Sequence, residues 1–220
     1  MRGCDNLLKG QGTIKRIIKI LRKTYPKART TLFFKSPLQI LISTILSAQC
    51  TDERVNKITP ALFKKYPSAA CFAKAKQSVL EREIRSTGFY RNKAGNIIAA
   101  AKKIVTEFSG KVPDNMSDLV SLSGVARKTA NIVLSSAFKK SQGIAVDTHV
   151  RRLSQRLGLS DQEDPEKIEQ DLMKIVPEKD WLDFNYLFVD HGRAICQARR
   201  PMCLKCVMKA LCPSAKIFLG

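Results

Sequence analysis

Long apolar runs are missing from this chain. No stretch approaches the roughly 18 to 20 consecutive apolar residues of a membrane span, and the first thirty residues lack the apolar core of a secretory signal. These absences exclude a helical membrane protein and the ordinary secretory route, so the expectation is a soluble intracellular protein. Acidic residues are also scarce: 19 Asp and Glu stand against 39 Lys and Arg in 220 residues, a formal charge of +20. So basic a chain, with a pI near 9.9, departs from the balance of a generic cytosolic enzyme and points to a polyanionic partner. Period-2 alternation is sparse, which argues against a sheet protein, and no repeat, low-complexity tract or long Gly/Ser linker occurs. Hydrophobic residues make up 44% of the chain, enough for one large domain or two small ones, and this excludes global disorder.

The charge is uneven. Residues 161–190 hold ten acids and three lysines, so the net positive charge resides in the rest of the chain, as on a nucleic-acid-binding surface. Residues 1–30 carry nine basic groups and one acid, Asp5, a composition shared with transit peptides. They contain no Ser, however, and Ile14, Ile17, Ile18 and Leu21 fall at i, i+3, i+4 and i+7, the stripe of a core-facing helix ending before Pro26.

The pattern reads all-α. Ser36-Pro37 marks an N-cap with Pro at the first helical position, opening the apolar run from Leu38 to Leu46. Asp52 is expected to cap the next helix and Pro60 to limit it; Ser78 and Glu81 have capping-box spacing, and a long helix is expected from Asn96 to Phe108, stopped near Gly110. Residues 118–121 and 127–138 read as two helices joined by a Gly-containing turn at 122–126. Asp147 stands at the N-cap of a helix running to Leu157, and Ser160 with Glu163, then Asp164 before Pro165, mark further starts. Trp181 reads as core, and His149 and His191 as packed or hydrogen-bonded helix residues.

Of seven cysteines, Cys4, Cys50 and Cys71 are scattered, whereas Cys196, Cys203, Cys206 and Cys212 follow a C-x6-C-x2-C-x5-C spacing. Four thiolates so close in sequence can surround one metal centre. Disulfides fit poorly with a basic, unsecreted chain. Spacing leaves zinc and an iron-sulfur cluster both open, since four cysteines serve either. The segment from Arg193 to Lys216 holds six basic residues and no acid, with Arg199 and Arg200 inside the first cysteine loop, suited to phosphate contact.

Chemistry concentrates elsewhere too. The turn Leu122-Ser123-Gly124-Val125-Ala126 leads into Arg127, and backbone amides at such a helix start favour an anion such as a phosphate, with Gly124 permitting close approach. Lys128 follows directly, beside a cation that disfavours its protonated form and so favours a nucleophilic amine. Asp147 supplies a candidate complementary carboxylate.

In the motifs LSAQCTD at 46–52, TGFYRNKAGNI at 87–97, LSGVARKTANIVL at 122–134, AVDTHVRRLSQRLGL at 145–159 and the cysteine tail beginning HGRAIC at 191, the chain resembles the endonuclease III family of helix-hairpin-helix DNA glycosylase/lyases. The resemblance spans about residues 30–213. It implies two all-α lobes, a six-helix lobe near 30–141 containing the hairpin and a cluster lobe of 1–29 plus 142–220, flanking a DNA-binding cleft. It further implies excision of oxidised pyrimidines by attack of Lys128 on the sugar and nicking by β-elimination through a Schiff base. Asp147 would stabilise charge on the sugar. Gln49 would fill the space left by the extruded nucleotide, Phe89 would wedge the opposite strand, and the four cysteines would hold a structural [4Fe-4S] cluster. The implied partner is double-stranded DNA with damaged bases or abasic sites, bound by a monomer. The family hairpin usually carries Pro and Gly where this chain has Ser123 and Ala126, so Ala126 requires a negative φ. Two competing readings use the same features: a mismatch-directed monofunctional glycosylase, and a non-catalytic DNA-binding protein holding zinc or an iron-sulfur cluster.

Overall fold

The computed structural model describes residues 10–219, so Cys4 and Asp5 lie outside the described residues. The described residues contain helices and no strand, the all-α class expected from the sequence. Contacts divide the chain into two compact units, one of residues 31–142 and one formed by the segment up to Thr30 with Gly143 onward.

The 31–142 unit opens with α2 (Pro37–Ser47). Ser36 caps it by accepting a hydrogen bond from the Gln39 amide, with Pro37 at the first turn, where its missing N–H costs nothing. The next helix, α3 (Asp52–Lys65), differs from expectation at both ends. Thr51, not Asp52, is the cap, its side chain accepting from the Arg54 amide, and Asp52 instead places a carboxylate in the positive first turn. Pro60 lies inside α3 rather than ending it. A proline removes one backbone bond, and burial of Val55, Thr59 and Leu62 on one face holds the helix together across it. After α4 (Ala69–Ala73), α5 (Gln77–Ile84) has Lys76 at its N-cap without a side-chain bond, so Ser78 and Glu81 do not form a capping box. Gln77 instead donates to Glu81 along the helix at 2.9 Å.

The long helix α6 (Tyr90–Glu107) begins six residues before Asn96. Its buried face of Ala94, Ile97, Ala101 and Ile104 packs in one core with Ile40, Leu41 and Ile45 of α2 and Leu80 and Ile84 of α5. Two short helices, α7 (Met116–Val120) and α8 (Arg127–Val133), bracket the turn, and α8 runs on into a π-turn at Leu134–Phe138.

In the other unit, α1 (Gly10–Thr24) buries Ile14, Ile17, Ile18 and Leu21. Full burial of such side chains contributes roughly 1.5–3 kcal/mol each. They meet Val150 and Leu153 of α9 (Thr148–Arg156), Ile168 and Leu172 of α10 (Pro165–Ile175), and Phe184, Leu187 and Phe188 of α11 (Trp181–Ala194). Asp164 caps α10, accepting from the Glu166 and Lys167 amides. Ser160 starts no helix; its hydroxyl donates to Asp171 at 2.8 Å and is buried. Trp181 is half-buried against this core and donates to the Val176 carbonyl at 2.9 Å. A last short helix, α12 (Ala215–Leu219), ends the described chain.

Candidate active site and cysteine loop

The hairpin between α7 and α8 is held from below. Leu122 and Val125 are buried in the core of the unit, while Gly124 and Ala126 are exposed, so the turn is anchored by apolar side chains and presents backbone outward. Gly124 has φ +75°, and an added Cβ would stand 2.9 Å from both Cβ and Nδ2 of Asn96 on α6. Conformation and space both demand glycine there. Ser123 donates to Asn96 Oδ1 at 2.9 Å, a polar tie available to a serine and not to a proline. Ala126 has φ −81° and ψ 167°, the negative φ that an alanine requires. Asn96 is thus a hairpin-supporting residue that lay unread within its sequence motif.

Lys128 is the second residue of α8 and is exposed, with Arg127 half-buried before it. Asp147, in the other unit, is half-buried and caps α9: its Oδ1 accepts from the His149 and Val150 amides at 2.8 and 2.9 Å. That cap fixes the carboxylate at the helix start. His149 Nδ1 lies 3.0 Å from Arg152 on the same helix.

Gln49 and Phe89 are both exposed, in the turns that follow α2 and precede α6 respectively. Both have left-handed backbone, at φ +53° and +46°.

The six described cysteines are free thiols. Cys196, Cys203, Cys206 and Cys212 line one small, partly open cavity together with Arg156, Met202 and Phe218. Among the described residues no three thiols, imidazoles or carboxylates group as a site for one metal ion. Four thiols around one space suit zinc or an iron-sulfur cluster alike. Burial pushes the Cys206 and Cys212 thiols up, and the negative charge of neighbouring thiolates adds to it, so ionisation of the set calls for a bound cationic centre.

Partners of this loop went unread in the sequence because they lie far from it along the chain. Arg156 donates to Cys196 Sγ at 3.3 Å and to the carbonyls of Gln197 and Ala198 at 2.8 Å each, and stacks over Phe218. Arg152 donates to the Cys196 carbonyl at 3.0 Å. His191 is fully buried, with Nδ1 3.0 Å from the Tyr25 hydroxyl and Nε2 3.4 Å from Cys206 Sγ, and burial pulls its pKa down to about 4. It is therefore a neutral, packed histidine. Arg199 and Arg200 are exposed.

An all-helical chain with a glycine-locked hairpin, a lysine directly after it and a basic four-thiol loop falls in the class of helix-hairpin-helix DNA repair proteins. Residues 42–178 match the model of the HhH-GPD superfamily of base excision DNA repair proteins. Endonuclease III of Synechocystis sp. is 56% identical over 200 residues, covering 91% of each chain. Among solved structures, a trapped endonuclease III–DNA covalent intermediate superposes with a TM-score of 0.90 at 39% identity, covering 96% of this chain and 99% of that one. A thermostable thymine-DNA glycosylase reaches a TM-score of 0.84 at 25% identity, covering 94% and 98%. The chain belongs to the endonuclease III family of DNA glycosylases with associated AP lyase activity.

Proposed function

We propose that this protein removes oxidised pyrimidines from double-stranded DNA, with Lys128 as nucleophile and Asp147 as its electrostatic partner. The observation that carries the reading is an exposed lysine in the first turn of the helix that follows a hairpin anchored by buried Leu122 and Val125, with Gly124 exposed at φ +75°. The Lys128 nitrogen forms a bond to the sugar C1′ as the glycosidic bond breaks, and the departing base takes a proton. Ring opening leaves an imine, loss of a C2′ proton follows, and the C3′–O bond breaks to release the 3′ phosphate. An amine makes this second cleavage possible because water cannot form an imine. Asp147, held by its two amide bonds, stabilises positive charge developing on the sugar.

Gly124, Ala126 and Arg127, with Arg199 and Arg200, contact the phosphate backbone and so position the duplex without reading its sequence, while the buried Leu122 and Val125 hold the hairpin from beneath. Gln49 and Phe89 occupy the stack from which the damaged nucleotide is drawn. Cys196, Cys203, Cys206 and Cys212 hold a [4Fe-4S] cluster, which when bound pins the basic loop in one shape. The protein acts as an intracellular monomer on damaged DNA; no described helix is long and apolar enough to cross a membrane.

The mismatch-directed alternative shares the scaffold, as the thymine-DNA glycosylase likeness shows at the level of fold. Borohydride trapping on a duplex with one oxidised pyrimidine separates the two. The intact protein is expected to give a covalent adduct that Lys128→Ala abolishes. Base release over a mismatch with no adduct, even at an abasic site, would replace this reading with the monofunctional one.

A further inference from the structure

Gln49 and Phe89 are two of four described non-glycine residues with positive φ. Such backbone is strained for a residue with a Cβ and persists only where the surrounding structure over-determines it. Beneath both turns lies Lys93 on α6, only 5% exposed. Its Nζ donates to the Leu46 carbonyl at 2.7 Å and to the Thr87 carbonyl at 2.8 Å, and its backbone N–H donates to the Phe89 carbonyl at 3.0 Å. Leu46 lies in the last turn of α2, three residues before Gln49, and Thr87 lies two residues before Phe89. One side chain therefore ties together the turns that carry both strained residues.

The tie is made with a charge. Both Nζ acceptors are neutral carbonyls, and burial pulls the Lys93 amine down from its ordinary pKa, with the nearby Cys50 thiol opposing that shift. A methionine would fill the same space without the desolvation cost, so packing alone does not account for an ammonium here. A lysine differs from methionine in holding two carbonyls at a fixed separation.

We propose that Lys93 is a positioning residue for nucleotide extrusion, fixing the Gln49 and Phe89 turns relative to one another so that both side chains enter the duplex as one preformed unit. This rests on the reading that those two residues fill and wedge the stack. Without the tie, the turns would have to be ordered during extrusion, and the cost of that ordering would appear in the excision rate.

The test is a mutant cycle in the full-length protein, read by single-turnover excision from a duplex containing one oxidised pyrimidine. Lys93→Met is expected to slow excision about tenfold in the parent and to add nothing in a Gln49→Ala/Phe89→Ala background, because it acts through those two side chains. Equal slowing in both backgrounds, or none in the parent, overturns the proposal. Should Lys93→Met lose the parent's cooperative melting, Lys93→Gln, which keeps a donor for one carbonyl, enters the same cycle under the same criteria. If Gln49→Ala/Phe89→Ala excises as fast as the parent, the filling-and-wedging reading itself falls, whatever Lys93 does, and that result is distinct from additivity within a cycle where the pair matters.

Discussion

Replacing Gly124 and Gly95 by alanine should move stability in opposite directions, although the two glycines lie in the same unit of the protein. At Gly124 the native φ is +75°, and left-handed backbone costs a residue with a Cβ about 1–2 kcal/mol. The new methyl would also stand 2.9 Å from Asn96 Cβ and Nδ2, so Asn96 must shift and weaken the hydrogen bond that it accepts from Ser123, a loss of about 1 kcal/mol. Together these give roughly 2–3 kcal/mol, which for a chain of this size lowers Tm by about 4–12 °C. Gly95 lies within α6 with nothing within 4 Å of an added Cβ, so alanine there stabilises by about 0.5–1 kcal/mol through helix propensity. Differential scanning calorimetry on both variants, with binding to an undamaged duplex measured beside it, checks the reasoning. Gly124→Ala should also bind more weakly, because the amides it displaces face outward. A Gly124→Ala protein melting within a degree of the parent would refute the claim that conformation and space both require glycine there.

Asp147 should separate stability from chemistry: Asn can still accept the two amide bonds and cost little, Ala should cost about 1 kcal/mol of cap, and both should slow base release, as melting and single-turnover assays would show. Lys93→Met should stabilise the protein at neutral pH. Burial lowers the folded-state pKa of Lys93, so the penalty is fully present below that lowered value and fades as pH rises through 10.5, and the gap between variant and parent in urea melts should close over that window. Arg156→Ala removes bonds to Cys196, Gln197 and Ala198, and iron and sulfide analysis of the purified variant should find less of both than in the parent. A parent protein containing zinc and no sulfide would overturn the cluster assignment.

The features legible in the sequence were those fixed by neighbours along the chain. The stripe of Ile14, Ile17, Ile18 and Leu21, the Ser36-Pro37 start and the Asp147 cap each depend on residues within two turns, and each forms as read. Competition between local signals was harder. Thr51 and Asp52 are both good caps, and the outcome turns on which one has extended backbone, here Thr51 at φ −73° and ψ 144°. Pro60 and Ser78 show tertiary packing overriding a local signal, since burial of one helical face outweighs a missing amide or an attractive cap. What could not be read were ties across long sequence separations. Asn96 under the hairpin, Lys93 under two turns and Arg156 over the cysteine loop each look like ordinary polar residues of an amphipathic helix until the fold brings their partners to them.

The last carbonyl of α9 shows how such a tie extends its reach. Arg156 O, at the end of the nine-residue helix that Asp147 opens, accepts from the Ser214 amide at 3.4 Å. The cysteine tail therefore closes the end of the helix opposite the one that displays the carboxylate, supplying a partner that helix ends otherwise lack. A product truncated before Cys212 would leave that terminus to fray, exposing the segment around Arg156 to proteolytic nicking.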